Sequence, residues 1–213
     1  MMQDNTKKLN TLIARLQPEL KDLGFRKRNA TFNRRTDEDL VQVINFQLAR
    51  VGFAADVGSV TINLAIAIPG LERFQSYPRD HSKFLKEIDC DIRQRIGLIR
   101  DLPDGVRNDL WWPLDDARTA DEVERLLFGR AMEWFEELGD AERLARKLEA
   151  APATSRVITH GTDRMWAVKI RLAQGEQDRA QANFDEYLKT LHEERLIAGM
   201  GRFAAMFGLD FSQ

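Results

Sequence analysis

The chain has 213 residues, 43% of them hydrophobic and 31% charged, enough for one large or two small cores and too apolar for a disordered polymer. Its 32 Lys and Arg against 34 Asp and Glu leave a net charge of −2, which excludes a globally basic nucleic-acid or acidic-lipid binder. A single cysteine, Cys90, rules out an internal disulfide, and three scattered histidines, His81, His160 and His192, offer no metal-ligand spacing.

The N-terminal residues MMQDNTKKLN lack the apolar stretch of a secretory signal. The longest apolar run, Leu64 to Pro69, falls far below the roughly 20 residues that span a bilayer. A reduced, cytoplasmic protein with no membrane partner is the expectation, and one free cysteine fits it.

Leu9, Leu12, Ile13, Leu16 and Leu20 recur at three- and four-residue steps and predict an amphipathic helix that ends at Gly24, with Pro18 as a kink or boundary. Thr31 to Arg35, Leu40 to Leu48 and Val60 to Ile68 then read as strands. The polar turn Thr36–Asp39 joins the first two, a Gly- and Ala-rich loop at 51–58 joins the next, and Pro69-Gly70 ends the third. Connections this short imply an antiparallel meander, because a parallel crossover needs a dozen residues or more.

Phe84, Leu85, Ile88, Ile92, Ile96 and Ile99 keep helical spacing and predict a helix from Ser82 to Arg100, broken by Leu102-Pro103-Asp104-Gly105. Thr119 with Glu122 three positions on reads as a capping box opening a helix that closes at Gly139. Beyond it the pattern is helical only: Ala141–Glu149, Thr162–Gln174, and Glu176 to about Leu196, with Gly175 between the last two. Small and aromatic residues from Trp166 to Leu188 resemble one tetratricopeptide-like helical hairpin, but no second copy follows at a 34-residue period. The expected fold is therefore α+β: an antiparallel meander packed with helices over residues 1–140, then a helical extension over 141–213. Pro152 is the candidate boundary.

Strict alternation in the third strand puts Val60, Ile62, Leu64, Ile66 and Ile68 on one face and Thr61, Asn63, Ala65 and Ala67 on the other. The second strand partitions less cleanly, with Asn45 and Gln47 falling beside Asn63. Amides and hydroxyls hydrogen-bond without titrating, so this polar face suits recognition better than acid–base chemistry. Arg34 or Arg35 joins it, depending on register. Arg95, Arg107, Asp109, Trp111 and Trp112 are candidates for its rim, with one of the adjacent tryptophans in the core and at most one an exposed anchor. The ordinary alternative is a half-solvated sheet with polar residues outside.

Charge is unevenly distributed. Residues 1–35 hold nine cations against three acids, and residues 100–149 hold eight against fourteen. Arg26-Lys27-Arg28 beside Phe25 and Phe32 offers phosphate contacts with an aromatic in reach, or simply a solvated strand entry. The acidic stretch suits a basic partner or neutralises the basic one. Glycine-rich phosphate loops, nucleophile elbows and HExxH are missing, and Cys90 between Asp89 and Asp91 is a packing residue rather than a nucleophile. His160-Gly161-Thr162-Asp163 reads as a capped helix start. No cofactor and no catalytic residue is indicated.

Gly24-Phe25-Arg26-Lys27-Arg28, Thr31-Phe32-Asn33-Arg34, Val41 through Gln47, Thr61-Ile62-Asn63-Leu64, Cys90 through Gly97 and Asp109-Leu110-Trp111-Trp112 form an ordered set. Over roughly residues 20–140 it resembles a bacterial family of domains of unknown function, number 4304, although Ala65 stands where that pattern favours Gly. The resemblance implies an α+β domain and no established activity, so no catalytic residue carries over. Small bacterial α+β domains of this kind suggest, by class alone, a non-enzymatic immunity or antitoxin-type protein that binds a partner protein. The alternative is a phosphate- or nucleic-acid-binding module, or an enzyme using the polar face.

Overall fold

The structure is a computed structural model that describes residues 2–49, 58–74, 80–99, 109–150 and 163–211. Arg107, Pro152, His160 and the segment 100–108 lie outside them. The chain divides into two compact units, Met1–Pro69 with Asp80–Gly139, and Gly70–Arg79 with Asp140–Gln213. Among the described residues no helix is long and apolar enough to cross a membrane.

The first unit is α+β. Helix α1 (Met2–Asp22) runs through Pro18 and turns Leu9, Leu12, Ile13, Leu16 and Leu20 into the core, as their spacing requires. Strands β1 (Arg26–Arg28), β2 (Thr31–Arg35), β3 (Val41–Leu48), β4 (Ser59–Ala67) and β5 (Ile92–Arg95) follow one another in a wholly antiparallel meander, and β6 (Trp112–Pro113) also pairs with β4. Asn29, in left-handed backbone (φ 56°), makes the two-residue β1–β2 turn, a conformation Asn tolerates.

Alternation decides both faces. Phe32, Ile44, Phe46, Val60, Ile62, Leu64, Ile66, Ile92 and Trp112 share the face that packs with α1 and with helices α2 (Thr119–Leu126) and α3 (Met132–Glu137). A π-turn at Leu127–Ala131 joins those two helices and lets both Leu126 and Leu127 be buried. Phe25 meets Phe135 at 6.2 Å between ring centroids, and Arg15 of α1 bridges Asp121 and Glu124 of α2. Burying an aliphatic side chain of this kind contributes roughly 1.5–3 kcal/mol.

Two sequence expectations are corrected in this unit, and one strand was missed. Residues 82–99 are not the helix expected over 82–100: a short 3-10 turn at Glu87–Asp89, strand β5, and a second 3-10 turn at Ile96–Leu98 take its place. Ile92 and Ile96 are both buried, but β-branched side chains serve a strand as readily as a helix. Thr119 forms no capping box, because its hydroxyl donates instead to the Pro113 carbonyl at 2.6 Å. β1 went unrecognised because three consecutive cations show no alternation.

The second unit is helical. α4 (Ala141–Ala150), α5 (Asp163–Gln174), α6 (Gln177–Leu188) and α7 (Glu194–Phe207) pack with the short 3-10 turn Glu72–Phe74. Gly175, at φ +78°, supplies the left-handed turn between α5 and α6. The single helix expected over 176–196 stops at Leu188, and α7 is a separate element. Phe74, Phe203 and Phe207 stack with centroids 4.7 Å apart for both Phe74–Phe207 and Phe203–Phe207. Arg171, fully buried, donates in a two-pronged fork to Glu149 (Nε 2.6 Å, Nη2 2.8 Å). It also pairs with Glu142 and, at 2.9 Å, with Glu176.

Candidate functional site

Cross-strand register places one polar row across the whole meander. Arg28 lies opposite Thr31, Thr31 opposite Asn45, Asn45 opposite Asn63 and Asn63 opposite Arg95. Directly opposed side chains are neighbours, and the amides at the centre of the row hydrogen-bond. Asn45 Nδ2 donates to Thr31 Oγ1 at 2.9 Å, and Asn63 Nδ2 donates to Asn45 Oδ1 at 3.2 Å and to Gln47 Oε1 at 2.8 Å. Gln47 keeps its own Nε2 donor unused among the described residues. At one end Arg95 pairs with Asp109 and lies over the Trp111 ring at 5.3 Å, while Trp111 Nε1 also donates to Asp109 at 3.2 Å.

Five of the seven residues singled out from sequence therefore meet: Asn45, Gln47, Asn63, Arg95 and Trp111. The other two do not. Register puts Arg35, not Arg34, on this face, opposite Val41. Arg34 is on the other side, where Nε and Nη2 donate to Gln42 Oε1 (2.9 and 2.6 Å), Nη1 donates to the Leu23 carbonyl (3.0 Å), and the Phe25 ring lies 4.6 Å away. Burial pulls its guanidinium below the ordinary value. Trp112 is a core residue, 3% exposed, on the same side as Val60.

The face is also less open than alternation alone suggests. Val41, Val43, Ala65 and Ala67 are small or apolar and are covered by Leu85 and Cys90. Two polar staples hold that cover down. Asn33, 8% exposed, both donates to the Leu85 carbonyl (3.0 Å) and accepts from the Leu85 N–H (2.7 Å), imitating a backbone ladder pair. Arg35 Nη2 donates to the His81 carbonyl at 2.6 Å. Burial, then the neighbouring Asp91, Asp89 and Glu87, push the Cys90 thiol well up, so it stays protonated and packs.

What remains exposed is strongly cationic. Arg26 and Arg28 on β1 and Arg93 and Arg95 on β5 all point to this face by register, with Arg35 between them. Arg95 and Arg35 have carboxylate partners in Asp109 and Asp39. Arg26, Arg28 and Arg93 form no ion pair among the described residues. Sequence reasoning found the Arg26–Arg28 cluster but missed Arg93, whose strand it read as helix. No group of three or more His, Cys, Asp or Glu among the described residues is placed to hold a metal.

A family model, described as domain of unknown function (DUF4304), matches residues 16–137. No curated protein and no solved structure matches the chain.

Proposed function

The chain belongs to the DUF4304 family of domains of unknown function, so its own residues must supply a role, and we propose that it is a non-catalytic binding module for an acidic partner protein. The polar row from Arg28 to Arg95 carries this reading. With neighbouring strands about 4.8 Å apart, its ends are separated by about 19 Å, the width of a protein patch rather than of a small ligand. Amides offer orientation-specific hydrogen bonds, and flanking arginines steer acidic surfaces and suit interface cores. None of these side chains is arranged with a nucleophile or a general base.

In its narrower form the partner is a toxin that a bacterial, cytoplasmic domain of this family sequesters. That form rests on class resemblance.

The experiment is affinity capture from the native cells at low and high salt, comparing the wild type with an Arg28→Glu/Arg93→Glu variant. Support is a stoichiometric protein that the wild type retains, that salt weakens, and that the variant loses at an unchanged thermal midpoint. The same partner held equally by the variant rejects the face. Arg26, Arg28 and Arg93, which form no ion pair among the described residues, with Trp111 beside Arg95 at the β5 end, favour a second reading, single-stranded nucleic acid. Oligonucleotide binding that falls steeply with salt would replace the first reading with it.

A further inference from the structure

Beside the polar row, on the same face of the sheet, the staples at Asn33 and Arg35 bracket a second feature. Between them residues 82–84 and β2 border a half-open cleft of about 400 Å³, with Arg26, Arg35, Val41, Lys83 and Phe84 in its lining. That volume lies in the range of small-molecule sites and is far too small for a protein surface.

We propose that this cleft binds a small organic phosphate: a phosphomonoester on an apolar, ring-sized body. Arg26 lies opposite Asn33, and Arg35 is two residues further along β2, so the two guanidinium stems are diagonal neighbours about 7–8 Å apart at Cα, within reach of one anion. Arg26 makes no ion pair among the described residues. Arg35 donates to the Asp39 carboxylate at 2.9 Å, to the Asp39 carbonyl at 3.1 Å and to the His81 carbonyl, which fixes it as a rigid floor.

Lys83 pairs with Asp80 at 3.1 Å, both groups well exposed. An exposed pair of this kind is weak enough for a dianion to compete with. Asp39 and Asp80 are each turned to one of these cations, Asp39 to Arg35 and Asp80 to Lys83. Asn33 spends one donor and one acceptor on Leu85, which fixes its amide at the cleft wall. Val41 and Phe84 provide an apolar wall, which a bare inorganic ion leaves unused. Two guanidinium groups and an ammonium lining one cleft with an aromatic ring match a phosphate ester better than a lone carboxylate.

The test is titration of the purified full chain with phenyl phosphate, inorganic phosphate and benzoate at matched ionic strength, followed through backbone amide shifts and calorimetry. The expected result is that phenyl phosphate binds at least tenfold tighter than the other two and that the shifts concentrate at Arg26 and residues 82–84. Arg26→Gln, on an exposed edge strand, should weaken phenyl phosphate tenfold or more at an unchanged thermal midpoint, and Lys83→Gln about threefold. Equal affinity for benzoate, shifts at other residues, or indifference to Arg26→Gln overturns the proposal. Because Lys83 lies on no strand of the cationic face, Lys83→Gln leaves partner capture intact, and Arg28→Glu/Arg93→Glu leaves phenyl phosphate affinity unchanged, so the two readings fail separately.

Discussion

Arg34 in the sheet unit and Arg171 in the helical unit each carry a permanent charge into poorly solvated surroundings, and they are held by different means. Neutral acceptors and a ring surround Arg34: the Gln42 amide, the Leu23 carbonyl and the Phe25 face. Carboxylates surround Arg171, namely Glu149, Glu142 and Glu176, tied in turn to Arg179 and Asn183. Burial pulls both guanidinium groups downward. For Arg171 the hydrogen bonds with Glu149 and Glu142 outweigh it and the net direction is up, whereas for Arg34 nothing opposes it. Neutral company makes a pH-indifferent plank. Anionic company makes a stronger joint that depends on every member keeping its charge.

The sharpest way to break this comparison is to remove the cation where it matters more. Arg171→Met leaves three carboxylates converging with only the partly exposed Arg179 and Arg146 beside them and should cost about 3 kcal/mol, read from the urea midpoint. Replacing Glu142 and Glu149 by Met in the same chain should recover much of it, and a cost below about 1 kcal/mol for the single variant refutes a structural role for the cluster. Next in size is Asn33→Ala. It leaves the Leu85 N–H and C=O without their partner and should cost about 2–3 kcal/mol, with accelerated amide exchange at Leu85.

Gln42→Leu strips Arg34 of its double acceptor and should cost about 2 kcal/mol, with no change in the pH profile because no partner of Arg34 titrates. In the helical unit the profile must slope. Hydrogen bonds from Arg171 hold Glu142 and Glu149 below the ordinary carboxylate range. Their contribution is therefore complete above the unfolded value of about 4.3 and fades as pH falls through the lower folded values. Glu149→Gln should start less stable at neutral pH and lose less on acidification, measured as thermal midpoint from pH 7 to 3. Smallest of all, Trp111→Ala should cost below about 1 kcal/mol of stability, so that any large effect on partner capture reports the surface itself.

The strands that alternate cleanly were legible from sequence, and so was the parity that brought Asn45, Gln47 and Asn63 together. Parity between adjacent arginines was not. Only the pairing of Arg35 with Val41 decides which of Arg34 and Arg35 faces the amides, and one strand read alone carries no register. β5 escaped because isoleucines at 88, 92, 96 and 99 imitate a helical stripe, although Ile88 is 63% exposed and only tertiary contacts distinguish the two readings. The Asn33–Leu85 staple joins residues 52 positions apart, a separation at which local pattern is silent. The buried charge cluster was missed for a related reason: Glu142, Glu149, Arg171 and Glu176 each look like an ordinary solvated helix position until α4, α5 and α6 are packed together.

The helical unit is assembled from two separate stretches of chain, 70–79 and 140–213. On the ribosome, every strand of the meander is synthesised before the helices that complete the other unit exist. During that interval Phe74 has left the exit tunnel while its ring partners Phe203 and Phe207 are still untranslated. A nascent chain that has emerged only as far as residue 139 thus carries Phe74 as an aromatic ring without those partners. A stop codon anywhere between there and α7 makes that display permanent, giving quality-control chaperones and proteases a recognisable mark of an unfinished molecule.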